Sequence, residues 1–152
     1  MESNTNIKQN QKNIKTNKNE LYQIIGERLE KLDQLSEDIY FGRHCLLECA
    51  EKYEMSDLNE DLKNKIKAQI ALNYPIFANQ IQSYIDEYFL LRANLCDFTA
   101  LDFTNESKVK CKAIARNAKR EKCKLSLIKS EICAKIKEIG IVQDEQEVLN
   151  EQ

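Results

Sequence analysis

The chain has 152 residues, a formal net charge of -2, three Gly and one Pro, and it holds abundant Lys, Glu, Leu, Ile, Asn and Gln; this excludes a turn-rich β fold and predicts one all-α domain. The near-neutral total hides an asymmetry: Glu20 to Lys63 carries 12 acidic and 5 basic residues, whereas Lys108 to Lys137 carries 11 basic and 2 acidic. The first residues lack an apolar signal core, and the run Phe89-Leu90-Leu91 stops at Arg92, so neither a signal peptide nor a membrane span is predicted and a cytoplasmic location is expected.

Residues 1–19 are Asn, Gln and Lys with isolated Ile7 and Ile14. So little apolar surface does not offset the entropy of ordering, and a disordered polar tail is expected there. From Glu20 to Tyr53 the spacing predicts a first long helix. Ile25, Leu32, Ile39, Leu46 and Tyr53 recur every seven residues, with Leu21, Leu35 and Cys49 beside them, and most of the carboxylates fall outside that seam. Gly42 lies next to the seam, where a missing side chain lets another helix come close. Ser56 and Asp57 are the N-cap candidates for the next helix.

The second helix is the most apolar part of the chain. Phe77, Tyr84, Leu91 and Phe98 repeat every seven residues, Ile81, Tyr88 and Leu95 fall four after the first three, and Ile85, Phe89, Cys96 and Phe103 add apolar surface beside that seam. A helix with so much apolar circumference requires cover from other helices or from a partner. Pro75 removes a backbone hydrogen bond, so the helix must kink or restart. The run Leu62, Ile66, Ile70, Asn73, Phe77, Ile81 keeps its phase through the proline, which favours a kinked helix over a break that would give four helices.

Thr104 or Asn105 caps a last helix that reaches Ile139, with Gly140 at the stop. Cys111, Ala118, Leu125, Ile132 and Ile139 form its seam, joined by Ile114, Ile128 and Ile136. Residues 141–152 turn acidic and lose their period, which predicts a frayed tail. The sum is an elongated antiparallel three-helix bundle over residues 20–140, kinked at Pro75.

Chemistry is sparse in this pattern. His44, Cys45 and Cys49 cannot converge from one helical surface, and a lone His provides neither a zinc set nor a catalytic dyad, so no metal, cofactor or catalytic residue is expected and the chain reads as non-enzymatic. Cys45, Cys49, Cys96 and Cys111 sit on or beside apolar stripes and read as small buried hydrophobes. Cys123, between Lys122 and Lys124, reads as a surface thiol.

Two surfaces remain. Ile85, Phe89 and Phe103 lie outside the main seam and are candidates for partner binding, which would make the chain an adaptor, a chaperone-like protein or a complex subunit, acting on another protein or as a homodimer. Lys108, Lys112, Arg116, Lys119 and Arg120, with Lys137, share about a third of the last helix's circumference, and Lys124 follows them. That cationic face suits nucleic acid or an anionic protein, or it pairs internally with the acidic first helix.

Overall fold

The abundance of strong helix formers and the scarcity of Gly and Pro resolve into three α-helices in a computed structural model, which describes residues 2–56 and 58–140, with side chains described from Asn17 onward. Helix α1 spans Glu2–Met55, α2 spans Glu60–Leu101 and α3 spans Asn105–Glu138. Connections this short make α1 and α2, and then α2 and α3, antiparallel neighbours. The expected disordered leader lies largely outside the described side chains; its last residues, Asn17 to Asn19, are helical, and Lys18 makes an ion pair described below. The expected acidic tail, residues 141–152, lies outside the described residues.

Each helix end has a local cause. Asn59 caps α2, its Oδ1 accepting from the Leu62 amide at 3.0 Å. Ser56, expected at that position, instead closes α1, donating from Oγ to the Tyr53 carbonyl at 3.0 Å; the other candidate, Asp57, lies outside the described residues. Thr104 caps α3, accepting the Ser107 amide on Oγ1 at 3.2 Å. Gly140 stops α3 as expected, with φ of +86° and its amide bonded to the Lys137 carbonyl at 3.0 Å. Helix α2 runs unbroken through Pro75, so the described residues form three helices and not four.

The chain forms two compact units, Met1–Asp33 with Ile85–Glu121, and Gln34–Tyr84 with Lys122–Gln152, and every helix contributes a segment to each. In the first unit Ile25 and Leu32 of α1 are buried, as are Tyr88, Leu91 and Leu95 of α2 and Cys111 and Ala118 of α3. In the second, Ile39, Leu46 and Ala50 are buried, with Ile70, Tyr74, Phe77 and Ile81 of α2 and Leu125, Ile128, Ile132 and Ile136 of α3. Tyr53, Phe98 and Ile139, the outermost members of the predicted seams, are half-buried.

Two residues of the predicted α2 run are exposed, Leu62 in the first turn of the helix and Asn73. Tyr74 is buried in place of Asn73, so the stripe steps from Ile70 to Tyr74 to Phe77. A tyrosine ring supplies far more apolar area than an asparagine amide, and two steps of four and three keep helical phase as well as three and four. Gly42 acts as its place beside the seam predicts. A Cβ there would stand 3.2 Å from Cδ2 of Phe77, so its absence seats that ring against α1.

Candidate functional site

A carboxylate sits in the apolar stripe of α2 in the first unit. Glu87 is 5% exposed, between Tyr84 and Leu91 in helical phase. Arg28 of α1 occupies the equivalent place between Ile25 and Leu32. Its Nη1 donates to Oε1 of Glu87 at 2.8 Å and its Nε donates to Oδ1 of Asn94 at 2.6 Å, while Lys31 Nζ lies 3.4 Å from the second carboxylate oxygen. A buried charge persists only when paired and hydrogen-bonded, and this cluster meets both conditions. Sequence reading missed it, although the signal was present: Arg28 and Glu87 both fall at seam positions, where a charge without a partner on a facing helix could not remain.

At the α2–α3 turn of the same unit, Lys18 Nζ lies 3.0 Å from Asp102 Oδ2 and 5.9 Å from the centre of the Phe98 ring. Asp102 Oδ1 accepts from the Thr104 hydroxyl at 2.8 Å and from its amide at 3.1 Å. Lys18 first, and then the two Thr104 donors, hold the Asp102 carboxyl below its ordinary range. The folded value is depressed, so this contribution to stability is complete above the ordinary carboxylate pKa of about 3.9 and is lost as pH falls through the lower folded value. Asp102→Asn should therefore flatten the acid limb of a stability-versus-pH curve, measured by chemical denaturation between neutral pH and strong acid; an unchanged acid limb would exclude the assignment.

A cavity of about 520 Å³ opens beside this turn among Tyr22, Ile25, Gly26, Leu95, Phe98 and Cys111. Ser107 borders it, and the Oγ of Ser107 is buried without a hydrogen-bond partner among the described residues.

On the other side of Leu95 and Cys111 runs a groove of about 680 Å³ between α2 and α3, bordered by Arg92, Cys96, Thr99, Ala100 and Phe103 from the α2 side and by Lys108, Lys112 and Ala115 from α3. Of the residues predicted to bind a partner, Phe103 is 78% exposed and Phe89 is 49% exposed, while Ile85 is half-buried. Phe89 and Cys96 are seven apart and share one stripe of α2, and Phe103, just past the end of that helix, borders the groove. Phe89 also meets the Tyr88 ring edge-on at 5.1 Å. Cys96 corrects the expectation of a buried thiol: it is exposed, because it lies on the α2 face turned to the groove, which among the described residues no segment of α1 lines. Cys111 is buried, and Cys45 and Cys49 are half-buried, with burial pushing the Cys49 thiol up.

The predicted cationic face of α3 is exposed throughout. In the first unit Lys108, Lys112, Arg116, Lys119 and Arg120 all face solvent, and Lys124, in the second, does too. Among the described residues none of these six is in an ion pair. The charge pairing expected between an acidic α1 and a basic α3 is represented in the second unit by Lys135 and Glu54 at 2.7 Å, next to the opposite polarity, Arg43 with Glu131 at 3.6 Å. In the first unit the α1 cations Arg28 and Lys31 turn to Glu87 of α2, and Lys18 turns to Asp102 of the α2–α3 turn. Cys123 is exposed, as expected.

His44 is exposed with Glu48 at 3.9 Å. Among the described residues no three His, Cys, Asp or Glu side chains are placed to share a metal ion, and no helix is long and apolar enough to cross a membrane. The fold defines an all-α protein of three helices with an open α2–α3 face. No family model, curated protein or solved structure matches the chain.

Proposed function

We propose that this chain is a non-enzymatic helical-bundle protein that works in the cytoplasm by binding another protein, as an adaptor, a chaperone-like protein or a complex subunit. The observation that carries this reading is the apolar lining of the α2–α3 groove by Cys96, Ala100 and Phe103, together with the exposed ring of Phe89 on the same α2 stripe as Cys96. Two exposed phenylalanines cost hydration free energy that a partner recovers, and exposed apolar surface of this kind marks interaction sites. The six cysteines are free thiols, in keeping with a reducing compartment.

Cross-linking and affinity recovery with the wild-type chain and with Phe89→Ser/Phe103→Ser tests it. Both positions are exposed, so the variant should keep its helical circular dichroism and lose the recovered partner. Recovery of the same partner in the same amount by both chains contradicts the reading.

The unpaired cations of α3 favour a second reading, a small nucleic-acid-binding subunit. It predicts a gel shift whose strength falls steeply with salt and disappears in Arg116→Glu/Lys119→Glu/Arg120→Glu. No shift at low salt removes it.

A further inference from the structure

The two surfaces that the sequence offers as alternatives meet in the first unit: Phe103 and the cations Lys108 and Lys112 border one groove. We infer that this groove docks an acidic amphipathic helix of another protein. The inference rests on the protein-binding reading above and adds to it the shape and the charge of the partner.

The shape follows from two antiparallel helices whose groove is lined, among the described residues, by α2, α3 and the turn between them alone. Along α2 the groove residues Arg92, Cys96 and Ala100 are spaced by four, Phe103 follows in the turn just past the helix end, and Leu95 and Cys111 form a buried floor. From Arg92 to Leu101, the last residue of α2, the helix rises about 14 Å, enough for about two and a half turns of a partner helix. Cys96, Ala100 and Ala115 are small, so another helix can come close, and Phe103 at one end offers a large ring. The same floor residues, Leu95 and Cys111, border the cavity that α1 helps to line, so the groove stands where the fourth member of a four-helix bundle would pack. Helix-in-groove recognition uses such a site, reading apolar anchors at i, i+3 or i+4, and i+7.

Charge selects the occupant. Arg92, Lys108 and Lys112 stand on the rim, all exposed, and no carboxylate is among the described residues that line the groove. A helix seated there places its flanking positions against three cations. Asp and Glu at those positions are attracted and Lys and Arg are repelled, as at the flanking positions of a coiled coil. Nucleic acid suits this groove less well, because its phosphates would follow the cations and leave the apolar floor unfilled.

The test is a display selection on the purified full chain. Its library consists of 16-residue helices with Leu, Ile or Phe fixed on one face and the flanking positions randomised. Recovered peptides should be enriched in Asp and Glu over Lys and Arg. Fluorescence anisotropy should then show binding weakened by tenfold or more in Arg92→Glu/Lys108→Glu/Lys112→Glu, and lost in Ala100→Trp, which fills the groove from an exposed position. Circular dichroism of both variants checks that they fold, and Lys108→Glu/Lys112→Glu serves as the milder variant if the triple one does not. Acidic peptides that bind both variants like the wild type overturn the groove while leaving the protein-binding reading intact. Enrichment of basic or uncharged flanks overturns the charge assignment. Displacement of the peptide by a 20-nucleotide oligothymidylate at stoichiometric concentration reassigns the groove to nucleic acid, and a dimer in light scattering that Ala100→Trp dissociates reassigns it to a second copy of this chain. A selection that recovers no peptide, from a chain that also recovers no partner, overturns both readings together.

Discussion

Phe77→Ala should lower the unfolding free energy by about 3–5 kcal/mol, read as a shift of the denaturant midpoint. The ring is 2% exposed, 6.1 Å from the ring of Tyr74, and seated on the α1 backbone at Gly42. Its removal leaves a hole that α1 cannot fill, because Gly42 has no side chain to lean into it. The glycine supplies a control. In the wild-type chain Gly42→Ala gains about 1 kcal/mol of helix propensity but places a methyl 3.2 Å from Cδ2 of Phe77, so the two effects oppose each other. In the Phe77→Ala background the clash is gone and the same Gly42→Ala should be plainly stabilising. Equal effects of Gly42→Ala in both backgrounds would mean that the ring and the glycine are not coupled.

Arg28→Ala should cost about 2–3 kcal/mol. The substitution removes two donors at once and leaves Glu87, buried in an apolar stripe, with Lys31 at 3.4 Å as its remaining ion-pair partner. Arg28 is 26% exposed on its side chain, which keeps the loss below that of a fully enclosed pair. The signature of a buried charge is that removing both partners is milder than removing one. Arg28→Met/Glu87→Leu should therefore be close to the wild type or more stable, while Arg28→Ala alone is strongly destabilised. If the double variant loses as much as the sum of the two single ones, the pair contributes to stability through packing alone.

Much of the helical framework was legible because burial repeats along a helix. Ile25, Leu32, Ile39 and Leu46 are apolar, seven apart and all buried, and Leu125 and Ile132 follow the same rule. The glycine at 42 and the stop at Gly140 were also readable, since each has a single physical use at its position. What escaped depends on contacts between segments distant in the chain. Glu87 is tolerated in a seam because Arg28 and Lys31 converge on it, with Asn94 holding the guanidinium; charges at seam positions hint at a pair, but no local pattern announces which residues make it. Asn59 displaced Ser56 as the cap through a difference of three residues in where the turn closes, a choice between side chains of nearly equal capping strength. Cys96 looked like a core residue because it lies on the apolar side of α2; that side has more apolar width than two neighbouring helices cover. The candidate site was legible in pieces. Phe103 at the end of one helix and Lys108 at the start of the next each stood out, and the turn at Asp102 to Thr104 brings them to one groove.

The α2–α3 groove as a binding surface is tested most directly by the chain's own exposed thiols. Cys96 lines the groove in the first unit, and Cys123 is an exposed thiol in the second, outside the groove. Alkylation by iodoacetamide, followed by mass spectrometry of each cysteine, should show the Cys96 rate falling in proportion to the fraction of chain bound to an acidic amphipathic peptide, with the Cys123 rate unchanged. A Cys96 rate that stays constant at saturating peptide would contradict the assignment of the binding surface to this groove.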